Sequence, residues 1–148
     1  MPQPILFVLN GPNLNLLGVR EREVYGHDTL ADVEAACRAE ADAAGLDLRF
    51  HQTDAEHELI GWIQEARTGA AGIVINPAAF SYAGYPIYDA LKMCDCPIIE
   101  VHISNLHRRD EAWRANSIMT AAATGIISGL GTHGYALAVR HIARLRAG

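Results

Sequence analysis

Cysteines and long apolar runs are scarce in this sequence, and their scarcity excludes several classes of protein. The three cysteines are an odd number, and only one residue separates Cys94 from Cys96, whereas zinc-binding pairs are usually separated by two. We therefore expect Cys37, Cys94 and Cys96 to be reduced and structural. No apolar run reaches the roughly 20 residues of a membrane span, and no charged and then apolar leader begins the chain. We expect a cytoplasmic protein with no membrane partner.

An excess of positive charge is missing as well. The 148 residues carry a formal net charge of -5, whereas nucleic-acid binding needs a basic face. We expect no nucleic-acid partner, although a local group of arginines could bind a small anion. Of the residues, 50% are hydrophobic and 20% are charged, which is typical of a chain that buries one sizeable core. We expect residues 1–148 to form a single domain.

Apolar stretches of strand length alternate with helical patterns along the chain. Asp28 or Thr29 is suited to cap the first helix, and Asp54 to cap the second. The predicted strands are residues 5–8, 46–52, 72–76, 97–103 and 125–129, and the predicted helices are residues 28–44, 54–69, 86–93 and 132–146. This alternation predicts a parallel sheet covered by helices on both faces, in which ligands bind beyond the carboxyl ends of the strands.

A polar stretch at residues 9–26 follows the first predicted strand and contains Arg20 and Tyr25. A phenol has an unperturbed pKa of about 10 and is a poor base near neutral pH unless a close cation favours the phenolate. Arg20 or Arg114 could be that cation and make Tyr25 a general base. The residues alone favour another interpretation, an exposed turn with surface arginines. The asparagines at positions 10, 13 and 15 are equally suited to turns.

Glu100 and His102 lie two positions apart on the fourth predicted strand, and therefore on one face. A carboxylate beside an imidazole orients the ring and favours its protonated form, which suits a general acid. A structural histidine at a strand end is an equally good interpretation. Ile103 and Ser104 follow directly, and their amides could bind a carboxylate. Asn76 ends the third predicted strand, at the same predicted edge.

Four separated motifs, in order along nearly the whole chain, resemble those of the type II 3-dehydroquinate dehydratases. The first is LNGPNLNLLG at residues 9–18, followed by Arg20, Glu21 and Tyr25. The others are INPAA at 75–79, IEVHISN at 99–105, and ATG at 123–125 continuing to GLG at 129–131. Four motifs in register are far more specific than any one of them.

The resemblance implies a flavodoxin-like three-layer α/β sandwich with a five-stranded parallel sheet. It also implies trimers that pack into dodecamers. The implied reaction removes water from 3-dehydroquinate to give 3-dehydroshikimate, by anti elimination through an enolate, without metal or organic cofactor. This step serves the shikimate pathway to aromatic amino acids or the breakdown of quinate. The unrelated type I enzymes use a lysine Schiff base, a route disfavoured here because the only lysine, Lys92, lies on a predicted helix.

By resemblance, Tyr25 is the base that takes the C2 proton, and Arg20 favours its phenolate. Asn13 stabilises the enolate through a bound water. His102, oriented by Glu100, protonates the departing C1 hydroxyl. The substrate-binding residues implied are Asn76, Tyr82, Asp89, Ile103, Ser104 and Arg114. Of these, Asn76 and the amides of Ile103 and Ser104 hold the carboxylate, Arg114 binds ring hydroxyls, and Asp89 reaches a neighbouring subunit's site.

The chain departs from the family pattern at Tyr82, where the family usually has a histidine that binds ring hydroxyls. We expect a working dehydratase with altered contacts to C4 and C5 of the substrate. One extra residue between positions 108 and 114 leaves open whether Arg108 or Arg109 is near the site. Two alternatives remain: a paralog that binds a small cyclic hydroxy acid without turnover or with another substrate, and, more weakly, a flavin-binding flavodoxin.

Overall fold

Five strands form one sheet in the order β2-β1-β3-β4-β5, and every neighbouring pair is parallel. The computed structural model describes residues 2–148. The strands are β1 (Ile5–Asn10), β2 (Asp47–Gln52), β3 (Gly72–Asn76), β4 (Ile98–His102) and β5 (Gly125–Ser128). All five predicted strands are present, and the prediction of a parallel α/β sheet is confirmed. β1 runs two residues further than expected because Asn10 still pairs with Gln52 and Asn76 on the flanking strands.

Five helices accompany the sheet: α1 (Arg22–Tyr25), α2 (Leu30–Ala43), α3 (Glu56–Ala66), α4 (Tyr85–Leu91) and α5 (His133–Ala147). α2 begins at the predicted cap, because the Thr29 hydroxyl accepts from the Asp32 amide and the Asp32 carboxylate accepts from the Thr29 amide. The chain then leaves α2 through Gly45, whose φ is +71°. The local sequence therefore determines both ends of this helix.

Strand side chains alternate between two apolar layers, one on each face of the sheet. Leu6 and Val8 of β1 pack with the layer that contains α2 and α5. Phe7 and Leu9 pack with the layer that contains α3 and α4. Helices on both faces leave the carboxyl ends of the strands as the open edge of the sheet, which agrees with the predicted three-layer arrangement.

Three local predictions need correction or extension. The stretch at residues 9–26 is not all loop, because it contains α1 and a 3₁₀ turn at Leu14–Leu16. Three 3₁₀ turns, at Leu106–Arg108, Ala112–Ala115 and Ile118–Ala122, occupy the segment after β4. Asp54 does not cap α3, because the N-cap residue is Ala55 and no side chain among residues 2–148 accepts from the first amides of the helix. The Asp54 carboxylate instead accepts a hydrogen bond from the backbone N–H of Asn13 in the loop after β1.

The loops that follow β1 and β3 touch at Gly11. The Gly11 amide donates to the Asn76 carbonyl at 2.8 Å. A Cβ atom added to Gly11 would lie 2.4 Å from the Pro77 carbonyl oxygen, closer than any side chain tolerates. Glycine is therefore required at this position by the close approach of two backbones.

All three cysteines are free. The Cys94 thiol contacts the carbonyl of Ile63, and the Cys96 thiol contacts that of Ala66, so both pack against α3. Burial raises the pKa of Cys96 to about 11 and that of Cys37 to about 12, which keeps both as unreactive thiols. Within residues 2–148, no helix is both long enough and apolar enough to cross a bilayer.

Candidate active site

A cavity of about 240 Å³ opens beyond the carboxyl ends of β1, β3 and β4. The predicted site residues that line it are Asn13, Arg20, Tyr25, Asn76, Tyr82, His102, Ile103, Ser104 and Arg114. Glu100 lies behind His102 with no exposed surface. Asp89 is exposed on α4 and does not line this cavity. The structure thus brings residues from four separate segments of the chain to one space.

The Tyr25 hydroxyl is contacted by Arg109 rather than by Arg20 or Arg114, the two cations that the sequence suggested for it. Arg109 Nη1 donates to the Tyr25 oxygen at 3.2 Å and to Ser104 Oγ at 3.0 Å. Burial works to lower the pKa of Arg109, but its contact with Tyr25 outweighs burial and raises it. Arg109 lines the cavity, whereas exposed Arg108 does not. The choice between the two neighbouring arginines is therefore settled in favour of Arg109.

Arg20 stacks on the Tyr25 ring without reaching its oxygen. Its Cζ lies 5.0 Å from the ring centroid, and its Nη2 pairs with Glu21 at 2.7 Å. The Arg109 Cζ lies 5.5 Å from the same centroid, so two guanidinium groups face one phenol ring. The cationic environment predicted for Tyr25 is present, but the hydrogen bond to its oxygen comes from a different segment of the chain.

Asn13 is held at the cavity by a contact that no local pattern revealed. Its φ is +71°, a left-handed conformation that asparagine tolerates better than most residues. Its backbone N–H donates to Asp54 Oδ1 at 2.9 Å. Gln52 Nε2 donates to the same carboxylate oxygen and to the Gly11 carbonyl, both at 3.2 Å. The end of β2 therefore fixes the first loop.

Glu100 and His102 form a buried pair, as their spacing on one strand predicted. His102 Nε2 and Glu100 Oε2 are 2.5 Å apart. Ser117 Oγ donates to Oε2 at 2.6 Å, and Thr120 Oγ1 donates to Oε1 at 2.5 Å. Burial works to raise the pKa of Glu100, but the hydrogen bonds from His102, Ser117 and Thr120 outweigh it and hold that pKa below its usual value. The carboxylate is thus kept ionised next to the imidazole.

The Tyr82 hydroxyl donates its hydrogen bond to another residue of the protein. The hydroxyl donates to the Arg114 carbonyl at 3.1 Å, and the ring meets Trp113 edge-on with centroids 4.8 Å apart. Burial is the main cause that raises the pKa of Tyr82. Arg114 in turn places its Cζ 4.6 Å from the Trp113 ring centroid and its Nε 3.1 Å from Glu111. Tyr82 therefore supports the segment that carries Arg114.

The cavity has the electrostatic character of an anion site. Three guanidinium groups, those of Arg20, Arg109 and Arg114, line it. Within the part of the chain that the structure describes, no acidic side chain lines the same cavity. Grouped arginines bind carboxylates and other anions well, because each guanidinium is positively charged and presents several donors in a planar fork.

Several contributors to this geometry were missed from the sequence. Ser117 and Thr120 lie 17 and 20 residues after Glu100 and carry no local motif. Asp54 was noticed, but as a helix cap. The sequence left Arg108 and Arg109 as alternatives for a residue near the site, and a basic residue in a polar segment was the only signal for either. Long-range contacts of this kind follow from the fold and not from spacing.

Comparison with known proteins agrees with the motifs. Residues 4–143 match the family described as Dehydroquinase class II. A protein named 3-dehydroquinate dehydratase from Methylobacterium radiotolerans is 57% identical over 143 residues, covering 97% of this chain and 95% of that protein. A 3-dehydroquinate dehydratase 2 from Agrobacterium fabrum is 56% identical over 138 residues, covering 93% of each.

A solved structure gives the same result for the fold. The crystal structure of a type II dehydroquinase from Propionibacterium acnes superposes with a TM-score of 0.91 at 44% sequence identity, covering 96% of this chain and 97% of that one. Its sheet architecture is the flavodoxin-like one expected from the motifs. Sequence and structure agree over nearly the whole length, and this chain therefore belongs to the class II dehydroquinase family.

Proposed function

We propose that this protein is a hydro-lyase that converts 3-dehydroquinate to 3-dehydroshikimate and water. One observation supports this function above all others: Tyr25, contacted by a guanidinium, and His102, paired with a buried carboxylate, line the same cavity. An elimination needs a base and an acid at one substrate. The relatives named above are called 3-dehydroquinate dehydratases.

Tyr25 is the base in this proposal. Its phenolate removes the proton from C2, which is acidified by the adjacent ketone, and the electron pair becomes an enolate. Arg109 donates to the phenol oxygen at 3.2 Å, and Arg20 stacks on the ring, so two positive charges lie beside the base. Asn13, fixed by Asp54, aims its side-chain dipole through a water at the enolate oxygen.

His102 is the acid in this proposal. The enolate re-forms the ketone, the C1–O bond breaks, and the C1=C2 double bond forms. Hydroxide is a poor leaving group, so the imidazolium gives its proton to the departing oxygen and water leaves. The Glu100 carboxylate lies 2.5 Å from His102 Nε2 and holds the ring in place. Exchange with solvent then removes the proton from Tyr25 and restores one to His102.

The cationic lining supports binding of the substrate's carboxylate and hydroxyls. Asn76 and the backbone amides of Ile103 and Ser104 receive the carboxylate at the strand ends. Arg114 contacts the ring hydroxyls. Tyr82 occupies the position of the usual histidine, and its hydrogen is already donated to the Arg114 carbonyl. It therefore meets C4 and C5 of the substrate mainly as a hydrogen-bond acceptor.

The proposal extends to assembly and location. The protein forms trimers that pack into dodecamers, in the cytoplasm, and Asp89 reaches the cavity of a neighbouring subunit. Asp89 is exposed on α4, and large apolar side chains such as Val19 and Leu130 are 72% and 55% exposed in the single chain. Light scattering that returns a monomer mass at micromolar concentration would contradict the assembly.

The function is tested by adding purified protein to 3-dehydroquinate and following the absorbance of the conjugated enone product. We expect turnover that is insensitive to borohydride, because the only lysine, Lys92, is exposed on the surface and does not line the cavity. No rise in absorbance at any enzyme concentration would contradict the dehydratase function. Calorimetry with 3-dehydroquinate would then show whether the protein binds this compound without converting it.

A further inference from the structure

Two buried asparagines end neighbouring strands, and one of them, Asn76, lines the cavity. Asn10 ends β1 and Asn76 ends β3, and they are partners in the strand register. They are 0% and 4% exposed. β1 and β3 flank the point where the chain reverses its direction of travel across the sheet, which is where ligands bind in this class of fold. A third side chain, Tyr135 from α5, reaches between them from beneath the sheet.

The Tyr135 hydroxyl joins the two amides in one chain of hydrogen bonds. Asn76 Nδ2 lies 2.8 Å from the Tyr135 oxygen, and that oxygen lies 2.7 Å from Asn10 Oδ1. Tyr135 is fully buried, and burial raises its pKa well above the usual range. The hydroxyl therefore keeps its proton and can donate one hydrogen bond while accepting another.

Backbone groups at both ends fix the direction of this chain. The Ala78 amide, which can only donate, lies 3.2 Å from Asn76 Oδ1. The His51 carbonyl, which can only accept, lies 3.1 Å from Asn10 Nδ2. Asn76 must therefore present its nitrogen to Tyr135, and Tyr135 must donate to Asn10. An inverted Asn76 amide would face the Ala78 N–H with its own NH₂ group.

This arrangement leaves Asn76 with a defined set of free groups. Its nitrogen has one hydrogen that is not used by Tyr135, and its oxygen has one lone pair that is not used by Ala78. Both belong to a side chain that lines the cavity. The substrate thus meets an amide whose rotation and whose N and O positions are set before binding.

We propose that Tyr135 is a positioning residue that fixes the amide of Asn76 for the substrate. The inference depends on the proposed function, in which Asn76 binds the substrate. Tyr135 does not touch the substrate and acts through Asn76. Without the Tyr135 hydroxyl, the Asn76 amide loses one of its two anchoring contacts and is held by the Ala78 amide alone, while the acid and base on other segments stay in place.

The test is a double-mutant cycle between Tyr135→Phe and Asn76→Ala, read as KM and kcat for 3-dehydroquinate. We expect Tyr135→Phe to raise KM by ~3–10-fold, the worth of one net hydrogen bond, and to leave kcat within about twofold. In the Asn76→Ala background, Tyr135→Phe should change KM by less than about twofold, because the side chain through which it acts is absent.

Two further variants separate positioning from simple destabilisation. Ile142 is also a fully buried residue of α5, but its side chain packs at Gly72, the opposite end of β3 from Asn76, so Ile142→Val should leave KM unchanged while lowering stability. Asn10→Ala removes the acceptor of the Tyr135 hydroxyl and should raise KM in the same direction as Tyr135→Phe, by a smaller factor. It keeps the test available if Tyr135→Phe folds poorly.

The outcomes are distinguishable. A wild-type KM for Tyr135→Phe, or an undiminished effect of Tyr135→Phe in the Asn76→Ala background, would overturn the positioning role while leaving the proposed function intact. A wild-type KM for Asn76→Ala would instead contradict the proposed binding role of Asn76, and the inference would fail with it. A raised KM for both single variants that does not add in the double variant supports it.

Discussion

The proposed acid and the proposed base of this site are held in different ways. Glu100 and His102 are part of a central strand, are 0% and 5% exposed, and the carboxylate receives three hydrogen bonds. Tyr25 ends a four-residue helix in the first loop, is half-buried, and its oxygen receives one hydrogen bond, from Arg109. One half of the site is built into the core, and the other lies on a surface segment.

Because of this difference, substitutions in the two halves of the site should affect unfolding and turnover differently. A change in the strand pair disturbs buried groups that folding must satisfy, so it should affect both unfolding and turnover. A change in the loop removes a reactive group that the fold does not need, so it should affect turnover alone. Loops that carry reactive groups can also move over the substrate, which fits a lid that closes on binding.

Tyr25→Phe is expected to have the largest effect on activity. It removes the hydroxyl that we propose as the acceptor of the C2 proton, and it keeps the ring against Arg20. We expect turnover to fall by ~10²–10⁴-fold, the usual contribution of a general base, to a level at which the enzyme is effectively inactive. The midpoint of thermal unfolding should stay within error of the parent. A Tyr25→Phe enzyme with a normal rate would overturn the base assignment.

Glu100→Gln should affect both properties. The neutral side chain cannot accept all three hydrogen bonds from His102, Ser117 and Thr120. We expect the free energy of unfolding to fall by about 1.5–3 kcal/mol, with a large loss of turnover as well. Urea unfolding and the enone assay measure the two effects. Glu40→Gln, which breaks an exposed pair with Arg140, is the matched control and should cost less than about 1 kcal/mol.

The same carboxylate gives stability a pH dependence. The Glu100 pKa is lowered in the folded protein, so its contribution is fully present above the unfolded value of 4.5 and is lost as pH falls through the lower folded value. Glu100→Gln should therefore flatten the acid limb of the stability curve. An unchanged acid limb would show that other groups control acid unfolding.

Arg109→Ala and Arg108→Ala test the loop half with neighbouring residues. Arg109 donates to Tyr25 and Ser104, whereas Arg108 is exposed and outside the cavity. We expect Arg109→Ala to lower kcat/KM by ~10–100-fold, the range for a hydrogen bond from a charged group. Arg108→Ala should stay within about twofold. Equal effects of the two substitutions would contradict the assigned contact.

Tyr82 should give the smallest effects. Tyr82→Phe removes the donor to the Arg114 carbonyl and should reduce stability by about 0.5–1.5 kcal/mol. Tyr82→His restores the group usual in the family and should preserve or raise turnover. Steady-state kinetics with 3-dehydroquinate and thermal unfolding measure both variants. A severe loss of turnover in Tyr82→His would show that the phenol, and its support of Arg114, is required by this enzyme.

Local patterns were sufficient to predict most of the fold. The alternation of apolar and polar side chains indicated β2 at the edge of the sheet, and short apolar runs indicated the other four strands. The capping residues Thr29 and Asp32 and the turn at Gly45 determined one helix by contacts within a few residues. The alternation of strands and helices then predicted the parallel sheet, because a crossover helix is needed between parallel neighbours.

Contacts across long sequence separations were beyond the same reasoning. Asp54 has the right residue type and position for a helix cap, but its carboxylate accepts a hydrogen bond from the Asn13 backbone N–H, 41 residues away. Arg109 reaches Tyr25 across 84 residues, and Tyr135 reaches Asn10 across 125. The family resemblance placed the reactive residues in one site, but it did not identify these supporting contacts.

The close contact at Gly11 means that the loops after β1 and β3 cannot be redesigned independently. Because the backbone after β1 lies directly against Pro77, one rim of the pocket cannot be remodelled while the other is left unchanged. A graft of either loop from another scaffold would displace its neighbour, and with it the strand ends beneath both. Libraries of variants aimed at new substrates should therefore vary the two loops together or keep Gly11 and Pro77 unchanged.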